Sequence, residues 1–318
     1  MTTGPRIVVV GSCNMDISTW IERFPGPGET VFSTHYLMGM GGKGANQAVG
    51  AQLLGSHVSI LACVGEDVFG QRMLDTLASY GVSDEYIRVD HDAGSGLAII
   101  LVDDEGENVI AVTPGANMCL READIDAAAD LLRTADVVLT QLEVPIEPTE
   151  RALDIAREGA ALCVLNPAPA APVPDRVLEK VDVLTPNQSE ARLLTGLATD
   201  TLDGARDAGE ALLAKGAGSV IITLGAQGAL LFWEGVCEHM PPVEVDPVDT
   251  TGAGDAFMAG LATCLGRGLS LRESTRFANV VGALSTQKPG AMPSMPTADE
   301  LSAFLRTLAD YDDPLATP

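Results

Sequence analysis

The sequence predicts an α/β fold with three layers, in which helices cover both faces of a mostly parallel sheet and a small β-sheet forms a lid. Two observations predict the layers: short apolar runs alternate with helix-like stretches, and these runs are nearly continuous in Val, Ile and Leu. Such runs are typical of parallel strands buried on both faces. A third observation, two segments that interrupt the alternation, predicts the lid.

The alternating elements can be assigned in order along the chain. RIVVVGS is short and β-branched, which indicates a buried strand. KGANQAVGAQLLG is longer and mixes small, polar and apolar residues, which indicates a helix with Gly55 near its C-terminus. The same criteria predict strands at residues 58–65, 135–143, 161–169, 181–187 and 219–225, and helices at 69–81, 148–159, 188–196, 207–216 and 255–268.

Two segments interrupt this alternation and predict the lid. Residues 17–40 contain GETVFSTHYLMG, which alternates in the way an exposed strand does. Residues 96–113 contain two strand-like runs on either side of the turn DDEG, which predicts a hairpin. We therefore expect a single domain over residues 1–318 with a small β lid, which could cover a site or pair with a second copy.

The acidic composition excludes two classes of partner. Asp and Glu number 44 and Lys and Arg number 19, so the formal net charge is −25 at pH 7. Nucleic acids and anionic membrane surfaces are bound through clusters of basic residues, so we expect neither as a partner. The hydrophobic fraction of 46% also excludes a mainly disordered chain.

The cysteines and the N-terminal residues bear on location. The six cysteines form no Cys-x-x-Cys pair and mostly lie in apolar runs, which is typical of buried thiols in a reducing compartment. The first apolar run has only the length of a strand, unlike that of a signal peptide. No apolar run approaches the roughly 20 residues that a membrane span needs. We therefore expect a cytoplasmic protein.

The first glycine-rich motif is GMGGKGANQA, which precedes the first predicted helix. Gly39, Gly41 and Gly44 match G-x-G-x-x-G, so a nicotinamide-dependent oxidoreductase stays open as a remote alternative. A phosphate-binding P-loop is excluded, because Lys43 is followed by glycine rather than by Ser or Thr. Lys43 and Asn46 begin the helix and supply donors suited to the hydroxyls of a polyol.

The second glycine-rich motif is DTTGAGDAF, where a loop enters a predicted helix. The small residues Gly252, Ala253 and Gly254 leave the N–H groups of the helix N-terminus free to bind an anion. Asp255 follows them, and the helix dipole favours its ionised form. Such an Asp is most often a helix cap, but a carboxylate beside an anion hole can also deprotonate an alcohol that attacks a phosphoryl group.

Further polar residues stand at the ends of predicted strands. In parallel α/β sheets the carboxyl ends of the strands border one crevice, where ligands bind. Thr223, Gly225 and Gly228 form a turn after such a strand and can pass close to a nucleotide. The other side chains at strand ends are Asn14, Asp16, Glu143, Asn187 and Glu190.

The stretches GGKGANQA and DTTGAGDAF closely resemble the two signatures of the ribokinase-type sugar kinases, also called the phosphofructokinase-B family. The similarity runs over almost the full length and includes FPGPGET, NPAPA and TPNQSEA. It implies ATP-dependent phosphorylation of D-ribose to D-ribose 5-phosphate by in-line transfer. A 2-deoxyribokinase or broader pentose kinase is the alternative within this class, and a non-catalytic sugar sensor is a remote one.

The resemblance also implies roles for individual residues. Asp255 would be the general base, and the backbone of Gly252, Ala253 and Gly254 would form the anion hole. The sugar hydroxyls would be held by Asn14, Asp16, Gly42, Lys43, Asn46, Glu143 and Asp255. ATP would be surrounded by Asn187, Thr223, Gly225, Gly228 and Asn279.

The resemblance also implies two metal ions and a dimer. Glu190 would help to organise hydrated Mg²⁺. The lid of this family is often a dimer clasp, so we expect a homodimer. An activating K⁺ would bind beside the anion hole, through side chains or backbone carbonyls of Asp249, Thr251, Ser285, Lys288, Gly290 and Ser294.

Overall fold

A computed structural model describes residues 4–308 and 313–315 of the chain. Its strands are β1 Arg6–Val10, β2 Asn14–Ile21, β3 Ser33–Gly41, β4 His57–Gly65, β5 Ile87–Asp90, β6 Gly96–Val102, β7 Asn108–Thr113, β8 Val137–Thr140, β9 Leu162–Leu165, β10 Val183–Leu184, β11 Ser219–Thr223, β12 Ala229–Trp233 and β13 Val236–Met240.

The strands of the larger sheet are separated in sequence mostly by helices. In the described residues, none of these helices has both the length and the apolar character to cross a membrane. The helices are α1 Lys43–Leu53, α2 Val68–Ser79, α3 Glu122–Ala127, α4 Ala129–Thr134, α5 Ile146–Glu158, α6 Asp175–Leu178, α7 Gln188–Thr195, α8 Leu202–Ala214, α9 Ala253–Gly266, α10 Leu271–Ser285 and α11 Ala298–Leu305.

The larger sheet has the strand order β13-β12-β11-β10-β9-β8-β1-β4-β5. Its strands run parallel from β5 to β11, which confirms the predicted mostly parallel sheet. The last two pairs, β11–β12 and β12–β13, are antiparallel. A tight turn joins β12 to β13 through Glu234 and Gly235, both with positive φ, whereas a parallel pair would need a long crossover.

The core lies in two layers on either side of this sheet, as predicted. In β1, Ile7 and Val9 pack into one layer, while Val8 and Val10 pack into the other, because successive strand residues point to opposite faces. The first layer is completed by buried residues of α1, α2, α9, α10 and α11. The second is completed by buried residues of α3 to α8.

A separate four-stranded sheet forms the predicted lid, in the order β3-β2-β6-β7. β2 pairs with β6 in parallel, and the two outer pairs are antiparallel. The predicted segment 17–40 forms two strands rather than one, and the first begins at Asn14. Asn14 and Asp16 therefore belong to the lid itself rather than to a loop after β1.

Candidate active site

Asp255 lies in the first turn of α9 and is only 6% exposed. The residue that precedes the helix, Gly252, has φ +77°, a left-handed conformation that favours glycine. Gly252, Gly254 and Asp255 line a cavity of about 510 Å³. The N–H of Ala253 instead donates to the carbonyl oxygen of Thr250 at 3.2 Å, so one of the three predicted anion-hole donors already has an acceptor within the chain.

Two side-chain amides from α1 hold the carboxylate of Asp255. Asn46 donates through Nδ2 to Oδ2 at 2.9 Å, and Gln47 donates through Nε2 to Oδ1 at 2.9 Å. The two helices approach closely because small residues face each other: a Cβ added to Gly50 would lie 2.7 Å from Cβ of Ala259. This packing places both amides within reach of the carboxylate.

The environment of Asp255 raises its pKa, whereas the helix dipole alone would lower it. Burial raises the pKa of Asp255 above its ordinary value. The charge of Lys43 and the amides of Asn46 and Gln47 act in the opposite direction, while the charge of Glu143 raises the pKa further. A raised pKa makes the carboxylate a stronger base, which suits proton abstraction near neutral pH.

Glu143 and Lys43 form the next part of the site. Oε2 of Glu143 accepts hydrogen bonds from Oγ of Ser12 at 2.5 Å and from the backbone N–H of Lys43 at 3.0 Å. Burial tends to lower the pKa of the Lys43 ammonium, but the charges of Asp255, Glu143 and Glu190 more than offset it, and the pKa is raised. Lys43 is therefore a cation bordering the cavity.

The lid strand β2 supplies two polar residues. Asn14 is buried and accepts a hydrogen bond through Oδ1 from Nδ2 of Asn117 at 2.7 Å. Burial, together with the charges of Glu143 and Asp255, raises the pKa of Asp16 to about 7. Gly42 has φ +89° and leaves room for this strand, because a Cβ there would lie 2.8 Å from the backbone nitrogen of Asn14.

The cavity beside Asp255 extends to the strand ends β10 and β11. Asn187, Thr223 and Gly225, which are predicted to surround ATP, all line it, and so does Glu190, which is predicted to help organise Mg²⁺. Asn187 and Glu190 also form the capping box of α7: Oδ1 of Asn187 accepts from the N–H of Glu190 at 2.9 Å, and Oε2 of Glu190 accepts from the N–H of Asn187 at 2.8 Å. The cap holds both side chains at the cavity wall.

Two predicted nucleotide residues lie outside this lining. A Cβ added to Gly228 would lie 2.1 Å from the carbonyl oxygen of Met240, so backbone packs tightly against it. Nδ2 of Asn279 donates to the carbonyl oxygen of Pro241 at 3.4 Å. Both residues contact the segment that follows β13 rather than the cavity shared by Thr223 and Gly225.

The residues predicted to bind K⁺ lie before α9, at the last residue of α10 and in the loop after α10, and Asp249 joins the two loops. Its Oδ1 accepts from the N–H of Thr251 at 2.9 Å, and its Oδ2 accepts from the N–H of Gly290 at 2.8 Å. Lys288 forms an ion pair with Glu300 of α11. The hydroxyls of the two serines donate to nearby carbonyl oxygens, Ser285 to Gly282 and Ser294 to Ala291.

Sequence reasoning missed four amides that contact these residues, of which Gln47, Gln141 and Asn117 are buried and Asn166 is partly buried. Gln47 lies inside the first glycine-rich motif and has the helical spacing of a core position. Gln141, Asn166 and Asn117 each follow an apolar strand, where the sequence offers many polar residues. Distance along the chain hides them: Asn117 lies 103 residues from Asn14, and Gln47 lies 208 residues from Asp255.

Comparison with known proteins identifies the family. Residues 5–298 match the pfkB family of carbohydrate kinases. The chain belongs to this family. It is 37% identical to a ribokinase of Haemophilus influenzae over 94% of this chain and 98% of that protein, and 35% identical to a deoxyribokinase of Salmonella typhi over 94% and 98%.

A solved structure agrees with this family assignment. The structure of Arabidopsis thaliana ribokinase complexed with ribose and ATP has a TM-score of 0.88, at 33% identity over 94% of this chain and 98% of that one. In this fold, the G-x-G-x-x-G match also lacks the strand–turn–helix arrangement that a dinucleotide site needs. Gly39 and Gly41 lie in lid strand β3 rather than in a turn after a strand of the larger sheet, so the oxidoreductase alternative is not retained.

Proposed function

We propose that this carbohydrate kinase transfers the γ-phosphoryl group of ATP to the 5-hydroxyl of D-ribose. The observation that carries the proposal is the carboxylate of Asp255, which is held by two amides at the helix N-terminus bordering the cavity. A carboxylate beside free N–H groups can deprotonate an alcohol while the phosphoryl charge is stabilised. The ribokinase relatives, and the Arabidopsis enzyme bound to ribose and ATP, support ribose as the acceptor.

In the proposed step, the 5-hydroxyl oxygen attacks the γ-phosphorus in line with the bond to the bridging oxygen, and that bond breaks. Asp255 accepts the proton of the hydroxyl, ADP leaves with the bridging oxygen, and D-ribose 5-phosphate forms. The N–H groups of Gly252 and Gly254 stabilise the charge on the phosphoryl oxygens. Ala253 contributes less, because its N–H already donates to Thr250.

The sugar would lie between Asp255 and the lid. The oxygen of Asn14 is occupied by Asn117, so its NH₂ group faces the sugar as a donor. Oδ1 of Asn46 is buried without a hydrogen-bond partner in the described part of the chain, so it can accept from a sugar hydroxyl. The proposed sugar-binding set is Asn14, Asp16, Gly42, Lys43, Asn46, Glu143 and Asp255.

ATP would occupy the cavity of about 510 Å³, a volume within the range of small-molecule sites. Lys43 brings positive charge to its wall, which suits phosphate groups. Glycine at 225 lets the chain pass close to the nucleotide. The proposed nucleotide-binding set is Asn187, Thr223, Gly225, Gly228 and Asn279, of which the last two would act from the neighbouring segment after β13.

The residues beside the cavity fit a Mg²⁺ ion that is bound mainly by phosphates and water. Within residues 4–308 and 313–315, no three acidic, His or Cys side chains cluster as a metal site. Mg²⁺ on a nucleotide needs only one or two carboxylates from the protein. Glu190 supplies one at the cavity wall, and it would hold the water ligands. Held in this way beside Glu190, Mg²⁺ would supply positive charge that offsets the charge of the ATP phosphates.

The loops joined by Asp249 fit a monovalent cation such as K⁺. Burial tends to raise the pKa of Asp249, but hydrogen bonds from Gly290 and Thr251 more than offset it, so the pKa is lowered and the carboxylate is charged. The ammonium of Lys288 pairs with Glu300, so its charge is already compensated by a carboxylate. The proposed ligands are side-chain or backbone oxygens of Asp249, Thr251, Ser285, Lys288, Gly290 and Ser294.

The proposal also covers the domain organisation, the oligomeric state and the cellular location of the protein. We infer one domain over residues 1–318 with its lid, and a homodimer formed through the lid. Exposed apolar side chains on β7, including Ile110 at 53% and Val112 at 54%, support the dimer, because a second lid would cover them. The free, mostly buried cysteines support a cytoplasmic location, where thiols stay reduced.

A coupled assay of ADP release tests the function. The protein is incubated with Mg-ATP and K⁺ and with ribose, 2-deoxyribose, fructose, adenosine or no sugar. We expect turnover with ribose, and a loss of about 10²–10⁴-fold in kcat for Asp255→Asn, since a general base contributes that much. Asp299→Asn is the matched control, because Asp299 also stands in the first turn of a helix but is exposed.

Other outcomes of this assay would redirect the proposal. Near wild-type kcat in Asp255→Asn contradicts the general base. A preference for 2-deoxyribose would favour the second candidate, a 2-deoxyribokinase, which the Salmonella typhi relative supports. Ribose binding by calorimetry without turnover of any sugar would favour a sugar sensor.

A further inference from the structure

A row of buried amide side chains ends at Asp255. Gln141 follows β8, Gln47 lies in α1, and both are fully buried. Nε2 of Gln141 donates to Oε1 of Gln47 at 2.5 Å. Nε2 of Gln47 in turn donates to Oδ1 of Asp255 at 2.9 Å and to Oδ1 of Asn166 at 3.2 Å. Neither glutamine belongs to the proposed sugar, nucleotide or metal residues.

The amides of this row can form these hydrogen bonds in only one orientation. An amide offers one acceptor oxygen and one NH₂ group. Because the NH₂ of Gln141 faces Gln47, the oxygen of Gln47 must face Gln141, and its NH₂ group then faces Asp255. The reverse orientation of Gln47 would place its oxygen against a carboxylate oxygen. The carboxylate of Asp255 accepts only, so it requires the NH₂ end of Gln47, and the donor of Gln141 secures that orientation.

If the row of buried amides had only a structural role, it would lower the stability of the fold. The residues that follow Gln47 on α1, Ala48 and Val49, belong to the buried apolar core. Buried amides stabilise such a site only when every polar group is paired. Oε1 of Gln141 has no hydrogen-bond partner in the described residues. The arrangement therefore lowers stability while it fixes the carboxylate of Asp255.

We propose that Gln47, oriented by Gln141, is a positioning residue that fixes the carboxylate of Asp255 for proton abstraction. The proposal rests on the function proposed above. Asn46 holds Oδ2 and Gln47 holds Oδ1, so the two amides together set the plane of the carboxylate. Without Gln47, the carboxylate can rotate about its Cβ–Cγ bond and leave the line of the attacking hydroxyl.

Replacement of Gln47 by Leu should lower kcat much more than it changes ribose binding. Gln47→Leu keeps the approximate size of the side chain but removes the donor to Asp255. Misplacement of a reacting group by about 1 Å can cost about 10²-fold in rate, so we expect kcat to fall by about 10–100-fold. The Kd of ribose, measured by calorimetry, should stay close to that of the wild type.

The pH profile supplies a readout that a merely structural role would not move. The hydrogen bond from Gln47 favours the ionised form of Asp255, so its loss should raise the pKa of Asp255. The acid limb of kcat should then shift to higher pH, because turnover needs the ionised base. The other charged groups that face Asp255 are unchanged in this variant: Lys43 of α1, Glu143 after β8, Glu190 of α7 and Asp16 of β2.

The experiment compares the wild type, Gln47→Leu, Gln141→Leu and the double variant by kcat, ribose Kd, pH profile and Tm. If Gln141 acts through Gln47, the double variant should be no slower than Gln47→Leu alone. The double variant also removes the donor of Gln141 that the single variant leaves unpaired, so it serves where Gln47→Leu does not fold. Gln52→Leu on the same helix is the control, because the side-chain Oε1 of Gln52 accepts from the N–H of Val58 at 3.1 Å and not from a residue of the row.

The outcomes separate this proposal from the proposed function. Wild-type protein that does not phosphorylate ribose contradicts the function. An active wild type with equal kcat and an equal acid limb in Gln47→Leu and the double variant overturns the positioning role alone. A ribose Kd that weakens as much as kcat falls, or strictly additive losses in the double variant, also overturns it.

Discussion

Nδ2 of Asn117 donates to Oδ1 of Asn14 at 2.7 Å, and both residues are buried. The same side chain also pairs with the backbone of Cys13, accepting from its N–H at 2.9 Å and donating to its carbonyl oxygen at 3.1 Å. Asn117 follows the last lid strand, so it ties the end of the lid to the start of β2. Its hydrogen bond occupies the oxygen of Asn14, so the NH₂ group of Asn14 is the end that would donate to the proposed sugar.

Asn117→Asp should weaken sugar binding without removing catalysis. The variant keeps the shape and the acceptor for Cys13 but loses the donors to Cys13 and Asn14. Asn14 then turns its amide or remains unpaired, at a cost of about 1–3 kcal/mol. We expect the KM of ribose to rise about tenfold or more while kcat stays near that of the wild type, as measured by the coupled assay.

Asn108→Asp provides the control for this change. Asn108 begins β7 in the same lid and is exposed, so the variant makes the same chemical change away from the crevice. Its KM should equal that of the wild type. An unchanged KM in a folded Asn117→Asp would show that the orientation of Asn14 does not matter for the sugar.

The contrast between Asp255 and Asn117 shows which features the sequence can predict. Asp255 follows Gly-Ala-Gly at a helix start, and the chemistry of that site arises from its neighbours in sequence. Asn117 acts through Cys13 and Asn14, over 100 residues away, and no local pattern records that contact. The same limit applies to the fold. Apolar runs predicted six of the parallel strands, but the parallel strand β5, IRVD, and the antiparallel strand β13, VCEHM, lack such a run and were not predicted. The apolar strand β12, ALLFW, was not predicted either.

Ribose affinity should depend on the pH through Asp16. Burial and the charges of Glu143 and Asp255 raise the pKa of Asp16 to about 7 in the free protein. Sugar hydroxyls donate to the ionised form, so affinity should be highest above pH 7 and fall as the pH drops below 7, by up to about tenfold per pH unit. Calorimetry between pH 6 and pH 8 measures this dependence.

Asp16→Asn should remove most of this pH dependence, because an amide does not titrate. The variant also binds ribose more weakly at pH 8, where the wild-type carboxylate is charged. Proton release on ribose binding near pH 7, measured in buffers of different ionisation enthalpy, gives an independent check. A wild-type Kd that is constant from pH 6 to pH 8 contradicts the assignment of Asp16 to the sugar.

Asp249→Ala should reduce activation by K⁺. The variant removes the carboxylate and its hydrogen bonds to Thr251 and Gly290, which join the two loops. Each hydrogen bond to a charged group is worth about 1.5–3 kcal/mol, so we expect the K⁺ concentration for half-maximal activity to rise about tenfold or more. The measurement is kcat against K⁺ concentration at constant ionic strength, with Na⁺ as the replacing cation.

Asp246→Asn is the control for K⁺ activation, because Asp246 is an exposed acid in the same segment. Its response to K⁺ should match that of the wild type. Equal activity of the wild type in Na⁺ and in K⁺ would remove the proposed cation site altogether.

The two faces of the lid make the proposed dimer testable with adjacent residues. Val109 and Ile110 are neighbours on β7, 52% and 53% exposed, and they point to opposite faces of the sheet. Ile110 pairs with Ile100, and Ile100 pairs with Ser18, so the three side chains share one face of the lid. Asp16 lies two residues before Ser18 on the same strand and therefore lies on that face too. A second lid that packs on this face would bury Ile110 and cover the sugar.

Ile110→Lys should therefore give a monomer with weaker ribose binding, whereas Val109→Lys should remain a dimer with a wild-type KM. The charge of Lys is costly to bury only on the face that the partner covers. Light scattering coupled to size exclusion measures the mass, and the coupled assay measures the KM of ribose. Because both variants add the same charge to the same edge strand, a monomer in both would point to a general effect of charge on β7. A dimer in both would place the interface elsewhere.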